Sequence, residues 1–167
     1  MPVSQTGLTL LELLFGLVIM AILGTLALPS FQHLAQQYRV RGAASVVYAH
    51  LQQARSEAIK RHTSVTVCFS GSGTAAWQYK VLELSQAANC NSQVLELIAQ
   101  ANSQQFLGVL LTAAYPEPYL IFKPRRSTLL SGSLTLSQGR HQLKVITWNN
   151  SIIRTCSDSQ LPGVPSC

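Results

Sequence analysis

An uncharged apolar run near the start of the chain restricts the fold of this sequence more than any other feature. The run extends from Leu13 to Leu28, and with the residues back to Leu8 it covers about 21 positions. A helix of that length spans a hydrocarbon core of ~30 Å. The chain is only 11% charged, against roughly 25% in an average soluble domain, and much of the apolar excess lies in this run. The sequence therefore predicts a transmembrane helix over residues 8–29.

The seven residues before the run form a short leader. An ordinary secretory signal has a basic start, a shorter apolar core and a small-residue cleavage site after that core. Here residues 1–7 contain no Lys or Arg, and no convincing small-residue site precedes Pro29. The better cleavage position lies before the apolar run, after Gly7. We expect a leader over residues 1–7 and a mature chain that begins at Leu8 and keeps the whole helix.

Glu12 is the one carboxylate near the start of this apolar segment. A charged side chain in a membrane is costly and is by default a candidate functional residue. Cleavage after Gly7 places Glu12 fifth in the mature chain, near the new α-amino group of Leu8 and the positive end of the helix dipole. It would pair with the amine of an adjacent subunit and set the axial register of assembly. The alternative is a carboxylate that reaches the membrane interface without a partner.

These residues carry a family resemblance. Gly7-Leu-Thr-Leu-Leu-Glu12, followed by an apolar helix and Pro29, resembles the N-terminal signal of type IV pilins and type II secretion pseudopilins. The resemblance implies cleavage after Gly7 by prepilin peptidase and N-methylation of Leu8. It also implies assembly with other major and minor pilins through the N-terminal helix, with Glu12 and Pro29 as assembly residues. Two positions differ from the usual pattern, since Leu8 replaces Phe and the leader lacks a basic residue.

The helix is predicted to continue beyond Pro29, which should kink or locally open it. Residues 30–62 form its amphipathic half, with an apolar stripe that we expect to pack on a sheet. The segment Gln53–Arg61 followed by Val65-Thr-Val-Cys68 resembles the GspH/FimT branch of minor pilins and pseudopilins. That branch implies a type IV pilin fold. The stripe consists of Phe31, Leu34, Ala35, Tyr38, Val47, Leu51, Ala54 and Ala58.

After His62 the apolar period changes from that of a helix to that of a strand. We expect an α+β fold in which the long helix packs on an antiparallel β-sheet head over residues 63–167. Gly71-Ser-Gly73 is predicted to be a hairpin turn. The predicted strands are residues 64–69, 77–84, 94–98, 106–111, 119–123, 133–137, 142–148 and 152–156.

The chain contains four cysteines and no CxxC pair, so neither a zinc site nor a thioredoxin-like site has its usual spacing. An even count in an exported chain suggests disulfides. Three pairings are possible. Cys68–Cys90 with Cys156–Cys167 is favoured because each bond closes a short loop, and the second would hold the Pro- and Gly-containing tail.

The last third of the chain is strongly basic. No acidic residue lies between Glu117 and Asp158, and such a stretch attracts nucleic acid, anionic lipid or an acidic partner. Basic residues that only solubilise the strands are the alternative. In FimT members of the branch, a C-terminal Gly-Arg-x-Arg motif is associated with binding DNA, but here Ser151-Ile-Ile-Arg154 matches only at Arg154. The candidate DNA-binding residues are Lys123, Arg125, Arg126, Arg140, Lys144 and Arg154.

The motif content does not favour an enzyme. No HExxH, GxSxG, Walker or GxGxxG motif occurs, and we expect no catalytic residue, metal or cofactor. The resemblance implies a minor type IV pilin that acts in pilus assembly or as a tip or surface component. The alternatives are a minor pilin that binds double-stranded DNA in natural transformation, and a type II secretion pseudopilin of the GspH kind. The expected location is the bacterial inner membrane, as a single-pass protein, and then the pilus, cell surface or periplasm.

Overall fold

A computed structural model describes residues 9–84, 90, 94–124, 131–149, 152–159 and 161–167 of the chain. The chain divides into two compact units, one ending at Ala35 and one from Gln36 to Cys167. The second unit contains all of the strands.

A single helix, α1, extends from Leu10 to Arg61. It is helical through Pro29, so the local opening expected there does not occur. The predicted end near Arg61 is confirmed. Lys60 and Arg61 in the last turn complement the helix dipole, and His62 has a φ of 55°, the left-handed conformation that often closes a helix.

Within the described residues, eight strands follow the helix and form two antiparallel sheets. The first sheet has the order β3-β2-β1-β5 and the second has the order β4-β6-β7-β8. A short 3-10 helix over Ser103–Gln105 lies between β3 and β4. The strand bounds are β1 Val65–Ser70, β2 Gln78–Leu84, β3 Val94–Asn102, β4 Leu110–Ala114, β5 Tyr119–Phe122, β6 Gly132–Gln138, β7 His141–Thr147 and β8 Ile153–Cys156.

The predicted α+β class is confirmed, and the strand positions agree with the sequence except around β4. A strand was expected over residues 106–111, whereas β4 is Leu110–Ala114. The residues before β4 instead form the 3-10 helix and a turn at Gly108, whose φ is +79°. Division into two sheets was not expected, because strand periodicity gives the face of a residue and not the identity of its partner strand.

The core lies where one face of α1 and one face of each sheet are buried. In β7, Leu143, Val145 and Thr147 are buried while Lys144 and Ile146 are half-buried. One face of β7 is therefore fully covered, and the other face is partly covered. The residues that α1 contributes are Val40, Ala43, Ala44, Val47, Leu51, Ala54 and Ala58.

The turn between β1 and β2 also closes an edge of the second sheet. The backbone N–H of Gly73 donates to the carbonyl oxygen of Leu111 at 2.8 Å. The N–H of Ala113 donates to Oγ of Ser72, also at 2.8 Å. Gly71 permits this turn, because its φ is +66° and an added Cβ would lie 2.5 Å from a backbone oxygen. The predicted hairpin turn thus satisfies backbone groups on the edge strand β4, which would otherwise be open to pairing with another chain.

Two disulfides connect the cysteines, Cys68 with Cys90 and Cys156 with Cys167. This is the pairing that the short loops favoured. The second bond holds the C-terminal tail, in which Leu161 is buried and the N–H of Ser157 donates to the carbonyl oxygen of Pro165 at 2.9 Å.

Arg61 joins the end of α1 to the first sheet. Its Nε donates to Glu57 at 2.8 Å and its Nη1 donates to Glu83 of β2 at 2.8 Å. The guanidinium also forms an ion pair with Glu96 of β3. Hydrogen bonds from Arg61 hold the pKa of Glu57 and the pKa of Glu96 below their ordinary values. Arg61 therefore offsets the repulsion among three carboxylates, and Lys60 adds an ion pair with Glu57 at 3.3 Å.

Replacing Arg61 with Gln should change how stability depends on pH. A carboxyl group with a lowered folded-state pKa stabilises the fold above its unfolded-state pKa, and that contribution is lost as the pH falls. The wild-type protein should therefore lose stability from about pH 5 to pH 3. In Arg61→Gln the three carboxylates repel one another, so protonation should relieve strain and the loss should be smaller. Thermal unfolding at both pH values measures this, with Arg39→Gln as the control; equal pH dependence in both variants would contradict the role of Arg61.

Candidate functional site

The N-terminal half of α1 exposes an almost continuous apolar surface. By length and composition, α1 is the one helix among the described residues that is able to cross a membrane, and none of its 18-residue apolar window is buried in the chain. Soluble monomers rarely expose patches above a few hundred Å², and larger patches mark membrane or protein interfaces. The exposed large side chains are Leu10, Leu11, Leu13, Leu14, Phe15, Leu17, Val18, Ile19, Met20, Ile22, Leu23, Leu28, Phe31 and Leu34.

Thr9 and Glu12 form the start of this helix. The backbone N–H of Glu12 donates to Oγ1 of Thr9 at 3.3 Å, and the N–H of Leu13 donates to the Thr9 carbonyl oxygen at 3.2 Å. Thr9 is therefore the N-cap and Glu12 the acidic residue of the first turn. The sequence interpretation missed Thr9, although the spacing Thr-x-x-Glu is that of a capping box. Gly7 and Leu8, the predicted processing residues, lie outside the described residues.

The six candidate DNA-binding residues do not form one cluster in the described structure. Lys123 follows β5 of the first sheet, and Arg140 lies in the turn between β6 and β7. Lys144 and Arg154 lie on the outer face of the second sheet, because Arg154 is opposite Ile146 in the β7–β8 pair and Ile146 shares its face with Lys144. The remaining two, Arg125 and Arg126, lie outside the described residues.

Lys144 is already partly neutralised. Its Nζ lies 2.5 Å from Oδ2 of Asp158. Both groups remain accessible to water, so the pair contributes little to stability, but it reduces the positive potential that Lys144 offers to a ligand. Arg154 is exposed and is the stronger candidate on this face.

Arg154 and Trp148 border an open surface depression of about 480 Å³. The guanidinium carbon of Arg154 lies 5.5 Å from the centroid of the indole ring, a cation–π contact that fixes the arginine over the aromatic face. Oγ of Ser131 donates to Oδ1 of Asn149 at 2.7 Å on the same rim, and Ile152 supplies an apolar wall. A guanidinium beside an exposed indole can contact an oxyanion and a flat ring together.

The described residues contain no group of three or more His, Cys, Asp or Glu side chains that is able to hold a metal ion. His50 is half-buried, with Nδ1 2.9 Å from the Tyr79 hydroxyl, and burial lowers the pKa of His50. Burial also raises the pKa of Tyr115 to about 12, where it stacks on Phe69 and bonds to Thr147 at 3.1 Å. These groups are structural.

The family model described as type II transport protein GspH matches residues 43–151, which is more than half of the chain. The chain belongs to the GspH family. The matched region begins in α1 and extends beyond β7, so it includes the whole first sheet and every strand of the second sheet except β8. The predicted resemblance to the GspH/FimT type of pilin is therefore confirmed, and the chain is a member of a family of minor pilins and pseudopilins rather than of a known enzyme family.

Two solved structures share the fold. One is the type IV minor pilin FimU of Pseudomonas aeruginosa, with 14% identity and a TM-score of 0.55, where the alignment covers 74% of this chain and 98% of FimU. The other is the minor pseudopilin EpsH from the type 2 secretion system of Vibrio cholerae, with 17% identity and a TM-score of 0.55, where the coverage is 71% and 97%. No match was found among curated protein sequences. At these identities the structural likeness shows the pilin fold alone, and that fold was predicted correctly.

Proposed function

We propose that this GspH-family protein is a minor type IV pilin. It is made as a precursor with a seven-residue leader, is held in the bacterial inner membrane by residues 8–29, and is cut after Gly7 by prepilin peptidase, with N-methylation of Leu8. It then enters the pilus through α1 and acts in assembly or as a tip or surface component. The uncovered apolar half of α1 carries this proposal, because the same surface suits lipid before assembly and neighbouring helices afterwards.

Replacing Gly7 with Leu should leave an uncut precursor. A bulky residue before the scissile bond would not fit a site that accepts glycine, and the precursor would keep its seven-residue leader. Mass spectrometry of the membrane-bound protein measures this directly. Gly16→Ala is the matched control, since an added Cβ there meets nothing within 4 Å. A mature chain beginning at Leu8 in the Gly7 variant would refute the processing site.

Replacing Glu12 with Ala should permit cleavage and impair assembly. The carboxylate is proposed to pair with the α-amino group of a neighbouring subunit, and loss of a desolvated charge pair should lower incorporation by about tenfold or more. The amount of protein in sheared filaments, relative to the membrane pool, measures the effect. Glu117→Ala removes an exposed carboxylate in the head and serves as the control. Normal incorporation of Glu12→Ala would contradict a role of the Glu12 carboxylate in assembly. The carboxylate would then act only at the start of α1.

A type II secretion pseudopilin of the GspH kind is the alternative. It would share the leader, the anchor and the processing step, and it would differ in the filament that it enters. Recovery of the wild-type protein in sheared surface pili supports the pilin, whereas recovery only in periplasmic filaments that depend on secretion-system genes supports the pseudopilin.

DNA binding is a second candidate function, and the contact between Arg154 and Trp148 favours it. An exposed arginine next to an exposed indole can hold a phosphate and stack against a base. The incomplete Gly-Arg-x-Arg motif removes one phosphate contact at Ile152, and basic residues outside this face would have to replace it. The partner would be double-stranded DNA taken up in natural transformation, and on an intact duplex the arginine would contact the phosphate backbone while stacking on the indole would need an unpaired base at an end.

Arg154→Gln should weaken binding to duplex DNA and reduce its salt dependence. One lost phosphate contact lowers the slope of log K against log salt by about 1. Fluorescence anisotropy with the full chain in detergent, at two salt concentrations, measures both quantities. The quadruple change of Arg125, Arg126, Arg140 and Arg154 to Gln should abolish binding.

Arg39→Gln controls for net charge, because Arg39 is also an exposed arginine. Equal losses in Arg39→Gln and Arg154→Gln would indicate attraction by net charge alone. Absence of wild-type binding at low salt would exclude the DNA receptor function.

A further inference from the structure

A small cavity beside α1 is lined by Arg41, for which the described residues provide no ion-pair partner. Arg41 lines this cavity of about 240 Å³ together with residues of β7, β8 and the C-terminal tail. Its Nε is buried without a hydrogen bond. Among the residues that the structure describes, Arg41 forms no ion pair. Arg41 as a whole is half-buried, but one buried N–H donor without an acceptor is unfavourable, so this position favours binding of an external anion.

Three hydroxyl groups line the same cavity, on Ser45, Tyr48 and Thr155. The Tyr48 hydroxyl accepts a hydrogen bond from Nε2 of Gln52 at 3.1 Å, which leaves its own proton able to donate. Within the described residues no hydrogen bond uses the side-chain hydroxyl of Ser45 or Thr155. Each of these hydroxyl groups has a proton to donate, so the cavity offers an oxyanion three hydroxyl donors beside Nε of Arg41.

The walls of the cavity hold its shape. Leu143 and Thr155 belong to paired strands of the second sheet. Val164 belongs to the tail that the Cys156–Cys167 disulfide fixes, and its N–H donates to the carbonyl oxygen of Leu161 at 3.1 Å. Beside it, the position of a Cβ on Gly163 would be 4.0 Å from Nη2 of Arg41. The anion site is thus built from four segments and does not depend on one mobile side chain.

The size and charge of the cavity indicate what fills it. About 240 Å³ is below the usual ~300–1,000 Å³ of small-molecule pockets, so the end of one side chain fits better than a nucleotide. Arg41 is the only basic residue in its lining, which suits one negative charge. A carboxylate meets both conditions and can accept two parallel hydrogen bonds from a guanidinium. Asp158, close in sequence to the tail, is already paired with Lys144.

We propose that the Arg41 cavity receives an Asp or Glu side chain from another filament subunit. This inference rests on the proposed role as a filament subunit, because Arg41 lies on α1, the helix through which assembly is proposed. The carboxylate would neutralise Arg41 and accept hydrogen bonds from the hydroxyl groups around it. The head would thereby acquire a specific contact in addition to non-directional packing of apolar helices.

A zero-length cross-link tests this contact. In Arg41→Lys, a carbodiimide couples the new amine to a carboxylate at ion-pair distance, whereas the guanidinium of the wild type does not couple. Filaments and membranes from cells that make all subunits are treated, and mass spectrometry identifies the joined peptides. Arg39→Lys, two residues earlier and exposed, is the matched control. We expect a cross-link from position 41 to an Asp or Glu of another subunit and none in the wild type at that position.

A second variant separates binding from folding. Arg41→Gln keeps most of the side-chain stem and removes the charge, so the purified protein should unfold at the wild-type temperature or above it, because no internal ion pair is lost. Its incorporation into filaments should fall by about tenfold or more, while Arg39→Gln should incorporate normally. A drop in unfolding temperature with normal incorporation would show a structural role instead.

Each outcome bears on one proposal. Failure of the wild-type protein to enter any filament contradicts the proposed function. Normal incorporation of Arg41→Lys without a cross-link at position 41 contradicts only the Arg41 contact. A cross-link from position 41 to Asp158 of the same chain also overturns it, since the cavity would then be filled internally.

Discussion

The structure depends on a helix surface that the chain itself does not bury. In the first unit the large apolar side chains of α1 are exposed almost without exception, and the hydrophobic effect makes that exposure to water costly. Glu12 is the one charged residue among them, at the first turn, where the helix dipole favours a negative charge. This exposed apolar surface is the physical basis for the proposal that the first unit lies in lipid before assembly and against other helices afterwards.

The second unit, in contrast, buries most of its large apolar side chains in a core of its own. Small residues on α1, such as Ala43, Ala54 and Ala58, are fully buried and allow strands to approach the helix closely. The turn at Ser72 and Gly73 closes an edge of the second sheet, and Arg61 fixes the end of the helix to β2 and β3. A disulfide in each sheet adds a covalent constraint. These contacts lower the tendency of the sheet edges to pair with other chains, while the apolar surface of α1 stays exposed.

The sequence predicted the positions of the helix and of most strands, but it did not predict which strands pair with each other. The reason is physical. Helix and strand periods are local, so the helix end at Arg61 and the alternation in β7 were accessible from the sequence. The division into two sheets depends on contacts such as Val65 with Phe122, which join strands far apart in the chain. The Arg154–Trp148 contact and the Arg41 cavity depend on the same long-range arrangement. Thr9, in contrast, could have been found, because a capping box is a local pattern.

The arrangement of charge suggests how the head recognises its partners. Of the six acidic residues, Glu57, Glu83 and Glu96 are engaged by Arg61 and Asp158 by Lys144. Most of the negative charge of the head is thus satisfied internally, while Arg41 and Arg154 form no ion pair with any carboxylate that the structure describes. Unlike the apolar helix surface, which accepts any apolar neighbour, an unmatched cation distinguishes acidic partners from basic ones, because placing like charges together is costly. In the proposed filament, helix packing would therefore supply the free energy of assembly and the basic residues of the head its specificity.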